Sequence, residues 1–264
     1  MKNILVPVGS SKNAISHLQY AVDFAKAFNA KLFVVQVYNV FTKAGTLIKV
    51  EKIIERESLA FLNDLISKID NKGVDITVKT LKGDLIDTLE LACESANVDL
   101  VLVEPRTNSI SDEVYLGKTS GRIIKQMEVP ALIVPEGYKF SKPSNILMAI
   151  KSAIIKKKGV LKPLADLNKK FDANVDLLLV KTPYHNEGDF DLNTELLGMV
   201  KNITRSENAT TFQGVLEHFQ SHNPDMLCVV RRKRGFFAKK WEKNTILKKD
   251  FYSRIPVLVL SGMK

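Results

Sequence analysis

At 264 residues, with 45% hydrophobic and 26% charged side chains, the chain has an ordinary globular composition and room for two domains of usual size. No apolar run approaches the roughly 20 residues of a membrane span. The two cysteines, Cys93 and Cys228, sit among apolar neighbours at unrelated places, which argues against a disulfide framework and for small buried residues in a reducing cytoplasm. The net charge of +10 is unevenly placed: residues 1–141 carry 17 Lys+Arg against 17 Asp+Glu, and the remainder carries 22 against 12. That excess suits an acidic partner for the second half.

The chain opens directly on an apolar strand at residues 4–8, without the h-region of a signal peptide, so a cytoplasmic location is expected. Residues 13–28 place Ile15, Leu18, Ala21, Val22 and Ala25 at helical spacing, and the valine-rich residues 32–38 form a second strand. A long amphipathic helix over 50–69 ends before Asn71-Lys72-Gly73. A less buried strand covers 74–81, and a helix covers 84–96. Residues 99–103 read as a strand buried on both faces. After a polar run, Gly117-Lys118-Thr119-Ser120 stands where a helix begins, because Ile123, Ile124 and Met127 follow at helical spacing. A last strand covers 129–134. Strands alternating with helices imply a parallel sheet with right-handed crossovers.

The pattern then returns. Asn145-Ile-Leu-Met-Ala-Ile echoes Asn3-Ile-Leu-Val-Pro-Val. At one common offset, Asp225-Met-Leu-Cys-Val-Val matches Asp99-Leu-Val-Leu-Val-Glu, and Ile255-Pro-Val-Leu-Val-Leu matches Val129-Pro-Ala-Leu-Ile-Val. A fixed repeat of this length implies two copies of one unit. The expected domains are residues 1–138 and a shorter, basic, degenerate copy over 144–264, joined by the Pro-bounded residues 135–143. In the second copy the spacing predicts strands at 145–150, 175–180, 210–212, 226–231 and 257–260. Helices are predicted at 159–171, 191–205, 215–221 and 245–252.

On these residues, above all the start at Asn3, Leu116-Gly-Lys-Thr-Ser-Gly-Arg-Ile-Ile-Lys and Val129-Pro-Ala-Leu-Ile-Val, the chain resembles the universal stress protein family in its tandem form. The resemblance spans nearly the whole chain and is strongest over residues 1–140. It implies two tandem Rossmann-like α/β domains, each a five-stranded parallel sheet of order 3-2-1-4-5 with helices on both faces. It also implies that the last strands of the two copies meet as an internal pseudo-dimer. A non-catalytic role in binding and signalling during stress would follow.

Many members of that family hold ATP between the ends of the first and fourth strands, using an Asp after the first strand and a loop Gly-x2-Gly-x9-Gly-Ser/Thr after the fourth. Here the Asp position is Gly9, and the first two loop glycines fall on Glu104 and Thr107. Gly117 is kept, followed by Lys118, Thr119 and Ser120. A helix start with Lys118 favours an anion, and Pro7, Val8 and Val37 offer a wall for an adenine. Glu104 brings a negative charge where phosphates would approach. An adenine-nucleotide site is therefore expected in the first copy alone, with ATP held weakly or not at all, or with another small anion in its place. In the second copy the matching positions are Lys151, Val230, Lys233, Lys243 and Asn244, which keep nothing of the loop.

No Ser/His/Asp or paired-carboxylate arrangement is legible, and no metal site is expected: His218 and His222 lie four apart on a helix without a third ligand. Residues 231–249 carry nine cations against Glu242, with Phe236, Phe237 and Trp241 interleaved. Such a stretch could bind an acidic protein or polyanion, or pack back on the chain as a solvated loop. Two functions stay open: a small-ligand sensor, and a scaffold that binds no nucleotide and recruits an acidic partner. Pairing with a second copy as a homodimer also stays open.

Overall fold

The computed structural model describes residues 1–39, 47–105, 113–155, 157–232 and 245–262. In the first half, strands β1 (Asn3–Pro7), β2 (Lys31–Tyr38), β3 (Ile76–Lys82), β4 (Leu100–Val103) and β6 (Ala131–Ile133) form a parallel sheet in the order β3-β2-β1-β4-β6. A short strand β5 (Val114–Leu116) lies apart from it. The apolar pattern explains the layering. Leu100, Val101, Leu102 and Val103 are all buried, as a strand covered on both faces requires. Helices α1 (Ala14–Phe28) and α2 (Leu47–Ser67) cover one face, where Leu18, Val22, Phe24 and Leu62 pack on Ile4 and Val6. Helices α3 (Leu85–Ser95) and α4 (Lys118–Gln126) cover the other, bringing Ile86, Leu89, Ile123 and Ile124 onto Leu5, Val101 and Val103.

The second half repeats this plan with β7 (Asn145–Ile150), α5 (Lys162–Phe171), β8 (Asn174–Lys181), α6 (Thr194–Leu197), β9 (Val200–Glu207), α7 (Thr211–His222), β10 (Met226–Arg231), β11 (Ile246–Leu247) and β12 (Val257–Ser261). Its sheet order, β9-β8-β7-β10-β12, is again 3-2-1-4-5. The repeat is visible in single residues. The Asp99 carboxylate accepts from the amides of Lys2 (2.6 Å) and Asn3 (3.1 Å). Asp225 accepts from Ser144 (2.7 Å) and Asn145 (3.0 Å) in the same way. Burial alone would raise the Asp99 pKa, but the two amides and nearby Lys162 outweigh it and hold the group below the usual carboxylate value.

Three expectations for this half are corrected. The helix expected over 191–205 is one turn, α6, because Gly198 follows it and the β-branched Val200, Ile203 and Thr204 continue as β9. The strand expected at 210–212 is instead the start of α7, whose N-cap Thr210 accepts from the Gln213 amide at 3.2 Å. The helix expected at 245–252 is replaced by β11 and a turn. Ile246 and Leu247 pair antiparallel with Leu116 and Val114 of the first half, so their backbone groups find partners across the halves. Gly214 lets α7 lie close on β8, since a Cβ there would stand 2.7 Å from a Val180 methyl.

The halves join into one sheet. Strands β6 and β12 run antiparallel, with Val257 opposite Ile133, Leu258 opposite Leu132 and Val259 opposite Ala131, giving ten continuous strands and the expected internal pseudo-dimer. Residues between them reinforce the seam. Phe140 stands edge-on to Tyr20 (5.6 Å) and Phe24 (5.9 Å) of α1 and lies 6.2 Å from Phe171 of α5. The Met1 amino group meets Asp166 at 3.1 Å. Cys93 and Cys228 are buried free thiols, and burial together with Glu90 and Glu94 pushes Cys93 up to about 12. Among the described residues no helix is long and apolar enough to cross a membrane.

Candidate functional site

The chain leaves β1 toward β2 on one side, and β4 returns on the other side, so the C-terminal ends of β1 and β4 diverge into a crevice. A cavity of 490 Å3 opens there, within the size range of small-molecule sites. Pro7, Val8 and Gly9 line it from the end of β1, and Gln36, Val37 and Tyr38 from the end of β2. Val103 and Glu104 close it from β4, and Thr119, Ser120, Arg122 and Ile123 from the first turns of α4. Gly83, Asp84 and Leu85 complete the rim where β3 turns into α3. Gly83 has φ +143, and a Cβ there would fall 2.4 Å from the Thr88 hydroxyl, so the turn needs glycine.

Its polar groups are held by one another. The Ser11 hydroxyl donates to Glu104 Oε1 at 2.5 Å, and the Ser120 hydroxyl donates to the Glu104 carbonyl at 2.7 Å. Glu104 is thereby tied to the loop after β1 and to the start of α4. Opposite, one guanidinium nitrogen of Arg122, Nη2, donates to both carboxylate oxygens of Asp84 at 3.0 Å each. That hydrogen bond, and then the Ile86 amide, hold the Asp84 carboxyl below the usual range. The crevice therefore combines an apolar flank of Pro7, Val8 and Val37 with two carboxylates and one guanidinium.

Of the ten residues singled out from the sequence, Pro7, Val8, Gly9, Val37, Glu104, Thr119 and Ser120 come together around this cavity. Gly117 does cap α4 and Lys118 begins it, but neither lines the cavity, and the Lys118 side chain is exposed. Thr107 lies outside the described residues, as do Lys233, Lys243, Asn244 and the central part of the basic stretch. Gln36, Tyr38, Asp84 and Arg122 were not singled out. Asp84 was visible as a helix start, and Arg122 lies inside the Leu116–Lys125 run, but nothing in the spacing pairs them.

In the second half, Lys151 stands after β7 and Val230 near the end of β10, at the places of Gly9 and Glu104. His218 and His222 sit half-buried on α7 with ring centroids 6.1 Å apart. Among the described residues no group of three metal-ligating side chains occurs.

Residues 1–135 match the model described as the universal stress protein family. A universal stress protein of Methanocaldococcus jannaschii is 22% identical over 143 residues, covering 52% of this chain and 84% of its own. The crystal structure of a universal stress protein from Archaeoglobus fulgidus superposes with a TM-score of 0.71 at 19% identity, over 98% of both chains. A universal stress protein structure from Pseudomonas aeruginosa gives 0.56 at 13% identity, over 98% of this chain and 93% of that one.

Proposed function

Since the chain belongs to the universal stress protein family, we propose that it works in the cytoplasm by binding a small ligand and signalling its presence, not by catalysis. The ligand site is the first-half crevice, and an adenine nucleotide is its natural occupant. The observation that carries this reading is the 490 Å3 cavity at the divergence of β1 and β4, where an apolar flank faces the start of α4. The base would rest on Pro7, Val8 and Val37, with the phosphates toward Thr119 and Ser120.

The same crevice limits the affinity. A carboxylate about 4 Å from a phosphate costs about 4 kcal/mol at an effective dielectric of 20. A helix terminus contributes roughly 1 kcal/mol in return. With Glu104 anchored by Ser11 and Ser120, it cannot swing away without losing the Ser11 hydrogen bond. Phosphates are therefore opposed more than they are attracted, and ATP is held weakly.

Calorimetric titration of the full chain with ATP and with adenosine tests this. Weak ATP binding in the native chain is expected, strengthened at least about tenfold by Glu104→Gly, which removes part of that repulsion. Tight ATP binding by the native chain, or no change in the variant, would refute the role given to Glu104. No binding of either ligand by either protein would refute the nucleotide reading itself.

A further inference from the structure

The second half lacks a described counterpart of α4. In the first half, Ile123 and Ile124 of that helix cover the sheet face beside α3. In the second half α7 covers part of the equivalent face through Val215, and the place beside it is bordered by Ile246 and Phe251 instead. A cavity of 610 Å3 lies there. Val229, Val257 and Val259 of β10 and β12 form its sheet side, and Phe212, Ile246 and Phe251 are among the residues that enclose it. The first half contributes Ile124 and Lys125 from α4, so the cavity exists only because the halves are joined.

At the C-terminal edge of the sheet the lining changes character. Lys151 follows β7, Arg231 ends β10 and Arg232 comes directly after it. Lys151 is exposed, and Arg232 is half-buried with its guanidinium donating to the Ser152 carbonyl at 2.5 Å. Neither has a carboxylate partner among the described residues. The first turn of α7, an uninterrupted helix of 12 residues, adds the positive end of its dipole through Thr211 and Phe212. An apolar chamber of small-molecule size with cations at one end is complementary to a molecule that is itself apolar with one anionic end.

We infer that this cavity binds a free single-chain amphiphile with an anionic head, a fatty acid being the simplest. The acyl chain lies against Val229, Val257, Val259 and Phe251, and the carboxylate meets Lys151 and Arg232. This site is separate from the first-half crevice and does not depend on what that crevice binds.

The test is calorimetric titration of the full chain with decanoate, decanol and acetate, each below any self-association. Decanoate is expected to bind saturably, one per chain, with decanol and acetate at least tenfold weaker because each lacks one half of the match. The double variant Lys151→Gln, Arg232→Gln should weaken decanoate at least tenfold while the thermal melting point stays put. No saturable decanoate binding, more than one molecule per chain, or equal binding of decanol that ignores the double variant would each overturn the inference. A variant with Phe236, Phe237 and Trp241 changed to Ser supplies a further arm. If it binds decanoate and the native chain does not, the protein's own basic segment is the occupant, and the inference fails.

Discussion

Asp84 shows how much one side chain in the crevice is asked to do. It accepts from the Ile86 amide at 2.9 Å, capping α3, and it pairs with Arg122 of α4 across the cavity rim. Its folded pKa is depressed, so its contribution is fully present above the unfolded value of about 3.9 and fades as pH falls through the folded value. Both side chains are substantially exposed, at 48% and 30%, so solvent screening keeps the ion pair below about 1 kcal/mol. The cap adds roughly 1 kcal/mol. Replacing Asp84 with Ala should therefore cost roughly 1–2 kcal/mol in urea unfolding at neutral pH. Asp84→Asn, which still caps, should cost less. The charge-dependent part of either deficit should shrink below about pH 4, while the Ala variant keeps its cap deficit because a protonated Asp84 still accepts from the Ile86 amide. An Asn deficit unchanged there would contradict the assignment. The sequence revealed Gly9 and Glu104 because both are departures at fixed positions of a recognisable pattern. It could not reveal that Asp84 faces Arg122, since that contact depends on how α3 and α4 are laid side by side.

Among elements, the pairing of β6 with β12 carries the most weight. Leu132 and Leu258 are direct partners and both have no solvent exposure. An Asp at Leu132 loses a fully packed side chain and brings a carboxyl into the seam, a penalty of about 3 kcal/mol or more. For a chain of this size that corresponds to a fall of roughly 10 °C in melting temperature. Ile203→Asp on the outer strand β9, where the side chain is 44% exposed, should shift it far less. Equal melting of the two variants would argue against the seam. Elements with buried, strongly periodic sequences were legible, including α1, β4, β7 and β12. Those that failed have contacts that override local pattern. Strand β9 is a polar edge strand whose Val200 and Ile203 also fit helical spacing, and residues 246–247 take their form from a partner strand in the other half.

At the scale of the molecule, the ten-stranded sheet makes the two copies one object. Its edges are β3 and β9, and its middle is the pair β6 and β12. Each copy's last strand would be an open edge if the copies were apart, and here each closes the other. Backbone amides should record this as a gradient of deuterium uptake. Protection should be greatest in β4, β6, β12 and β10 and should decline outward to β3 and β9, because opening the middle requires both flanks to yield. Uptake that is fast at the β6–β12 junction and slow within each half would mean that the copies open separately. The expected gradient carries a kinetic corollary: a ligand in the first-half crevice, by holding that half closed, should lengthen the lifetime of hydrogen bonds in the half it never touches.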